Sequence, residues 1–126
     1  MTSNADTQAI EAQIDARIHE TLDYWIDQLA RLCAQPSISA QRLGIDECAA
    51  LVATMLDEQG YAAEVLPTGG SPIVFGDSGS RGDAPTLLFY NHYDVQPPEP
   101  LDLWDTPPFT LTRVGDHLYA RGVSDD

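Results

Sequence analysis

The stretch Pro85-Thr86-Leu87-Leu88-Phe89-Tyr90-Asn91-His92-Tyr93-Asp94 decides how this chain is read. Four apolar residues, Leu87 to Tyr90, give way to the polar pair Asn91-His92. Such a run predicts a strand over Thr86–Tyr90 buried on both faces, as in the parallel sheet of an α/β protein. Ligands of these sheets bind outside the carboxyl ends of the strands, where His92 and Asp94 fall. Residues two apart on an extended chain point the same way, so both side chains are expected at one cavity. An imidazole beside a carboxylate suits a metal ion: one ring nitrogen binds it while a carboxylate or carbonyl holds the other. Taken alone, a His-x-Asp pair is more often an ordinary surface pair, so the rest of the chain has to decide.

Working outward, the 126 residues are enough for one domain with a core, and 43% of them are apolar. Twenty acidic residues against six basic give a formal net charge of −14. A surface so acidic repels phosphate backbones and anionic membranes, so neither nucleic acid nor membrane is expected as a partner. Cys33 and Cys48 fall in two predicted helices without a C-x-x-C spacing and read as reduced, partly buried thiols. The opening MTSNADTQ has neither a basic region nor an apolar run, and no apolar stretch nears membrane-spanning length. The expectation is a soluble cytoplasmic protein.

Upstream, Ile10, Ile14, Ile18, Leu22, Trp25, Leu29 and Leu32 recur in steps of three and four. They predict a helix over about Thr7–Ala34, ended by Pro36, with this stripe packed on the core. A second helix starts near Asp46, with Cys48, Leu51, Val52, Met55 and Leu56 on one face, and stops at Gly60. Tyr61–Leu66 and Pro72–Gly76 read as short strands, and Asp77–Ala84 as a polar loop. Its Arg81-Gly82-Asp83 triplet is a chance match to an integrin ligand. Downstream of Asp94 the prolines of Gln96–Pro100 stiffen a loop, and Phe109–Arg113 with His117–Ala120 predict a hairpin turning at Val114-Gly115-Asp116. Two helices followed by strands indicate a mixed α/β layer fold.

A second acidic site ends the chain at Arg121-Gly122-Val123-Ser124-Asp125-Asp126. A glycine permits close backbone approach, and the carboxylates after it can bridge cations; a solvated acidic stretch is the plain alternative. Together, NHYDVQPPEPLDLWDTPPF and GDHLYARGVSDD resemble the front half of a co-catalytic zinc metallopeptidase. The family is that of carnosinases, cytosolic nonspecific dipeptidases, aminoacylases, and acetylornithine and succinyl-diaminopimelate deacylases. Its first metal motif is His-x-Asp and its second Gly-Arg-Gly-x-x-Asp, here Ala120 to Asp125 with Ala120 in place of the first glycine. The 33 residues from His92 to Asp125 and the wording Asp94-Val95-Gln96-Pro97 resemble the dipeptidase branch. LARLCAQPSIS and EVLPTGGSPIVFG resemble the family's opening helix end and following strands.

The resemblance implies an α/β, three-layer catalytic domain with a mostly parallel central sheet. Residues 1–126 would be its N-terminal part, without the inserted lid and dimerisation domain or the C-terminal part. It implies two zinc ions, with manganese or cobalt as alternatives, and hydrolysis of amide bonds in small peptides or N-acyl amino acids. The full-length form is allowed to be a homodimer. His92 resembles a ligand of one zinc, Asp125 the carboxylate bridging both, and Asp94 the active-site acid that orients His92. Asp126 would be a neighbour, and His19 and His117 match no ligand position. Trp104, Pro108 and Phe109 would brace the loop beside the site, with plain core packing as an equal explanation. The family's general-base glutamate and its other ligands lie beyond the second motif. The alternative is a non-catalytic α/β fragment or binding module that keeps only the fold.

Overall fold

The structure, a computed structural model, describes residues 4–79 and 82–125. Helix α1 (Asn4–Cys33) leads through a tight turn at 34–44 into helix α2 (Ile45–Glu58). Strands β1 (Ala62–Leu66) and β2 (Ile73–Asp77) form an antiparallel pair in which Glu64 faces Phe75. A long irregular stretch follows, and then a second antiparallel pair, β3 (Thr112–Val114) with β4 (His117–Tyr119). Helix and strand boundaries fall close to those the periodicity predicts. Gly60 and Gly115, with φ of +85° and +61°, take the left-handed positions that end α2 and turn the second hairpin. Among the described residues no helix is long and apolar enough to cross a membrane.

The core is small and sits where α1, α2 and the following segments meet: Cys33, Ile38, Cys48, Ala49 and Ala120 are buried, with Ser37 among them. Helix α2 packs against β1 and β2, and Gly76 lets the Leu56 side chain lie on the hairpin. Arg31 Nη1 reaches Glu58 Oε2 at 2.6 Å, joining the last turns of the two helices.

Two expectations need correction. The run Thr86–Tyr90 joins no ladder, and Leu87, Leu88, Phe89 and Tyr90 are 79–89% exposed. A strand exists by pairing; here α2 spends its apolar face on the β1–β2 hairpin, and both sheets of the described residues are antiparallel pairs. The α1 stripe is also uncovered from Ile10 to Trp25, with Leu22 48% exposed, so neither Leu22 nor the helix carrying Leu51 covers the run. At 1.5 Å per residue α1 is about 45 Å long, and the body of the chain reaches only its C-terminal turns.

Candidate metal centre

The site begins with the turn after α1. Ile38, almost fully buried, exchanges backbone hydrogen bonds with Leu43 (Ile38 N–H to Leu43 O, 2.8 Å; Leu43 N–H to Ile38 O, 3.1 Å), which closes the loop 38–43. Gly44, at φ +69°, passes so close to the Pro36 carbonyl that a Cβ would overlap it. The loop is therefore pinned at both ends. From it, the Ser37 carbonyl accepts Val95 N–H at 2.7 Å. The Ser39 hydroxyl donates to Asp94 Oδ2. The polar end of the central stretch is thereby anchored while its apolar beginning stays loose. The Tyr93 hydroxyl adds a bond to the Pro72 carbonyl, and the Cys48 thiol points at the Tyr93 carbonyl across 3.6 Å.

His92 and Asp94 pair as their spacing predicts. His92 Nδ1 lies 3.0 Å from the Asp94 backbone carbonyl and 3.4 Å from Asp94 Oδ1. A carbonyl oxygen only accepts, so Nδ1 carries the proton in this bond and the lone pair of a neutral ring sits on Nε2. That is the tautomer a metal-binding histidine needs.

The second motif reaches this place by packing. Gly122, at φ +78°, lies against Val95, and a Cβ there would overlap Val95 Cγ1. Arg121 N–H bonds to the Pro108 carbonyl at 2.7 Å, and the Arg121 guanidinium lies over the Trp104 ring, 4.8 Å from its centre. Trp104 is fixed in turn by its indole N–H on the Pro98 carbonyl, at 2.7 Å. Trp104 and Pro108 thus hold the loop that carries Arg121. Ala120, buried, has no left-handed φ; Gly122 carries the turn, so the departure from glycine at 120 leaves the motif in shape. Asp125 N–H then closes onto the Gly122 carbonyl at 3.3 Å.

The result is a cavity of about 50 Å³ on which His92, Asp94 and Asp125 all open, floored by Cys33, Cys48 and Phe109. Burial pushes both thiols up from their ordinary value, so they sit there as neutral, weakly polar groups. A wider groove of about 320 Å³ lies on the Ser39 side of the same His92–Asp94 segment. Among the described residues no three His, Cys, Asp or Glu side chains are grouped closely enough to hold a metal ion. Asp126 lies outside the described residues, as does Arg81 of the triplet. His19 and His117 are exposed and take no part in the cavity lining. Sequence reasoning missed Ser39: it stands 55 residues before its carboxylate partner, and no local spacing marks it.

One imidazole, a carboxylate held beside it and a second carboxylate lining the same cavity are donor types that a divalent ion takes, although they are not drawn together around one point here. With that geometry in view, the likenesses to known proteins become specific. Residues 88–126, which hold all three side chains, match Peptidase family M20/M25/M40. The succinyl-diaminopimelate desuccinylase of Bordetella avium is 34% identical over 100 residues, which cover 79% of this chain and 25% of that protein. An M20 family metallo-carboxypeptidase from Sulfolobus solfataricus superposes with a TM-score of 0.72 at 38% identity, over 79% of this chain and 23% of that one. Human carnosine dipeptidase 1 superposes at 0.81 with 27% identity, over 91% of this chain and 27% of that one. The chain thus spans about a quarter of the length of the relatives it matches. By the motif-bearing segment, which matches the M20/M25/M40 peptidases, and by the α/β fold around it, the chain is similar to the front part of M20 family peptidases.

Proposed function

We propose that this chain is the N-terminal part of the catalytic domain of a metal-dependent amide hydrolase that acts on dipeptides or N-acyl amino acids. The observation that carries the reading is the meeting of His92, Asp94 and Asp125 on one cavity, although 33 residues separate the first from the last. His92 and Asp125 would hold a divalent ion, zinc by preference, and Asp94 would orient His92. Such an ion, when bound, supplies Lewis acidity toward an amide carbonyl. The chain's own residues do the holding. Asp94 keeps the proton on Nδ1, Gly122 brings the Asp125 turn against Val95, and the Ser37–Val95 bond fixes the segment between. A catalytic zinc keeps three or so protein ligands. The remaining ligands, the second zinc position and the general base belong, in this reading, to chain outside residues 1–126.

The same reading accounts for the bare run at Leu87–Tyr90. In a protein of the relatives' length, Thr86–Tyr90 becomes an inner strand paired on its edges by segments outside residues 1–126, and the lid and dimerisation domain lies there too. Two free buried thiols suit a reducing compartment, which favours the cytoplasm. The dipeptidase branch is preferred over the deacylases on the Asp94-Val95-Gln96-Pro97 wording and the likeness to the human dipeptidase. The test is metal content and hydrolysis of a panel of dipeptides and N-acyl amino acids by the full-length protein, with and without chelator. Chelator-sensitive turnover of dipeptides is the expected result. A full-length protein that binds no divalent ion, or turns over nothing on the panel, would support the binding-module alternative.

A further inference from the structure

We infer that Ser39 is a positioning residue for the metal centre, setting the orientation of His92 through the Asp94 carboxylate. The inference rests on the metal site proposed above. The two oxygens of Asp94 have separate duties: Oδ1 faces His92 Nδ1 at 3.4 Å, supplementing the 3.0 Å bond of that nitrogen to the Asp94 backbone carbonyl, and Oδ2 accepts the Ser39 hydroxyl. A carboxylate turns easily about its last torsion, so Oδ1 stays toward the imidazole only while something holds Oδ2. A hydrogen bond between two waving surface groups would do little of this. Here neither backbone waves. Ser39 directly follows the buried Ile38 inside the loop closed by the Ile38–Leu43 pair, and the adjoining Ser37 carbonyl grips Val95, the residue after Asp94. The two segments are clamped side by side, and a hydroxyl donating to an ionised carboxylate is one of the stronger hydrogen bonds. Ser39 is itself exposed, so its loss removes the bond without opening the core.

The experiment uses the full-length protein and two readouts. One is zinc affinity by competition with a chromophoric chelator. The other is the tautomer of His92 in the metal-free protein, read from its ring nitrogen NMR shifts. Ser39→Ala is expected to weaken zinc binding about tenfold, the lower end of the usual range for residues behind a metal ligand, and to move His92 from Nδ1–H toward a mixture of tautomers. Ser39→Thr, which restores the hydroxyl, is expected to stay within about twofold of the parent on the affinity scale. Wild-type affinity and an unchanged tautomer in Ser39→Ala, alongside a clear loss in Asp94→Asn, would overturn the inference while leaving the metal site standing. If His92→Ala leaves the zinc stoichiometry unchanged, the metal reading itself falls. The tautomer of the metal-free protein then decides on Ser39 alone: a shift in Ser39→Ala upholds its hold on His92, and no shift ends it.

Discussion

Gly122 and Val95 touch with no space between them for a single further carbon, and this contact is what joins the two halves of the candidate site. Gly122→Ala combines two penalties. A left-handed φ disfavours an L-residue by roughly 1–2 kcal/mol, and forcing a methyl into a packed contact adds about 1–3 kcal/mol. A drop in the urea midpoint is expected, together with weaker metal binding as the Asp125 turn is displaced. Adding Val95→Ala should recover the steric part and leave the backbone part. A strictly additive double mutant in denaturation curves would mean that the two residues are not coupled in this way.

Trp104 supports the same turn from the other side. Trp104→Ala removes the stacking of Arg121 and the bond to the Pro98 carbonyl, for which a loss of about 2 kcal/mol is expected from a half-buried cation–π contact and one hydrogen bond. Trp104→Phe keeps a ring under the guanidinium and should recover roughly half of it. Thermal melts of the two variants side by side provide the check.

The thiols predict an alkaline limit to stability. Cys33 and Cys48 have folded-state pKa values raised above 9.0 by burial, so above about pH 9 the unfolded chain gives up thiol protons that the folded chain keeps. Their contribution is whole below that pH and is lost as the pH climbs through the folded values. Urea midpoints measured from pH 7 to 10.5 should fall at the upper end, and the fall should be shallower in Cys48→Ala even though that variant is less stable overall. Equal slopes would show that the thiols are not responsible.

Residues 1–126 expressed alone are expected to be inactive toward dipeptides in added zinc and prone to aggregate. Two ligands fall short of a catalytic site, and a missing general base alone typically removes about 10²–10⁴-fold in rate. The exposed Leu87–Tyr90 run is an open invitation to intermolecular pairing. Phe89→Lys should make the isolated segment more soluble yet prevent a full-length protein from folding, because on the strand proposal the position exposed in one is inner strand in the other. Solubility assays on both chains test the strand proposal directly; a full-length Phe89→Lys that folds normally would end it.

Much of this was legible in the sequence, for local reasons. Helix ends followed from Pro36 and Gly60, and the second hairpin from Gly115, because one residue's φ preference settles each of them. The pairing of His92 with Asp94 followed from a two-residue spacing. The exposure of Leu87–Tyr90 and of the Ile10–Trp25 stripe was not legible, since an apolar pattern states that a face needs covering and not what covers it. The Gly122–Val95 and Ser39–Asp94 contacts join residues 27 and 55 apart. Only the folded path of the chain reveals such contacts; a family resemblance could point to Asp125 but not to the packing that delivers it.

Helix α1 is held at one end. Tyr24 accepts a hydrogen bond from Gln59, Arg31 meets Glu58, and Leu29, Leu32 and Cys33 close the cavity, while the turns before them stand in solvent. The outer turns lack the tertiary packing that supplies most of a helix's stability, so α1 should not open as a unit. Its backbone amides should instead exchange with deuterium in a graded order, within seconds near Asn4 and slowing turn by turn, with the slowest amides close to Cys33 reporting the opening of the core itself.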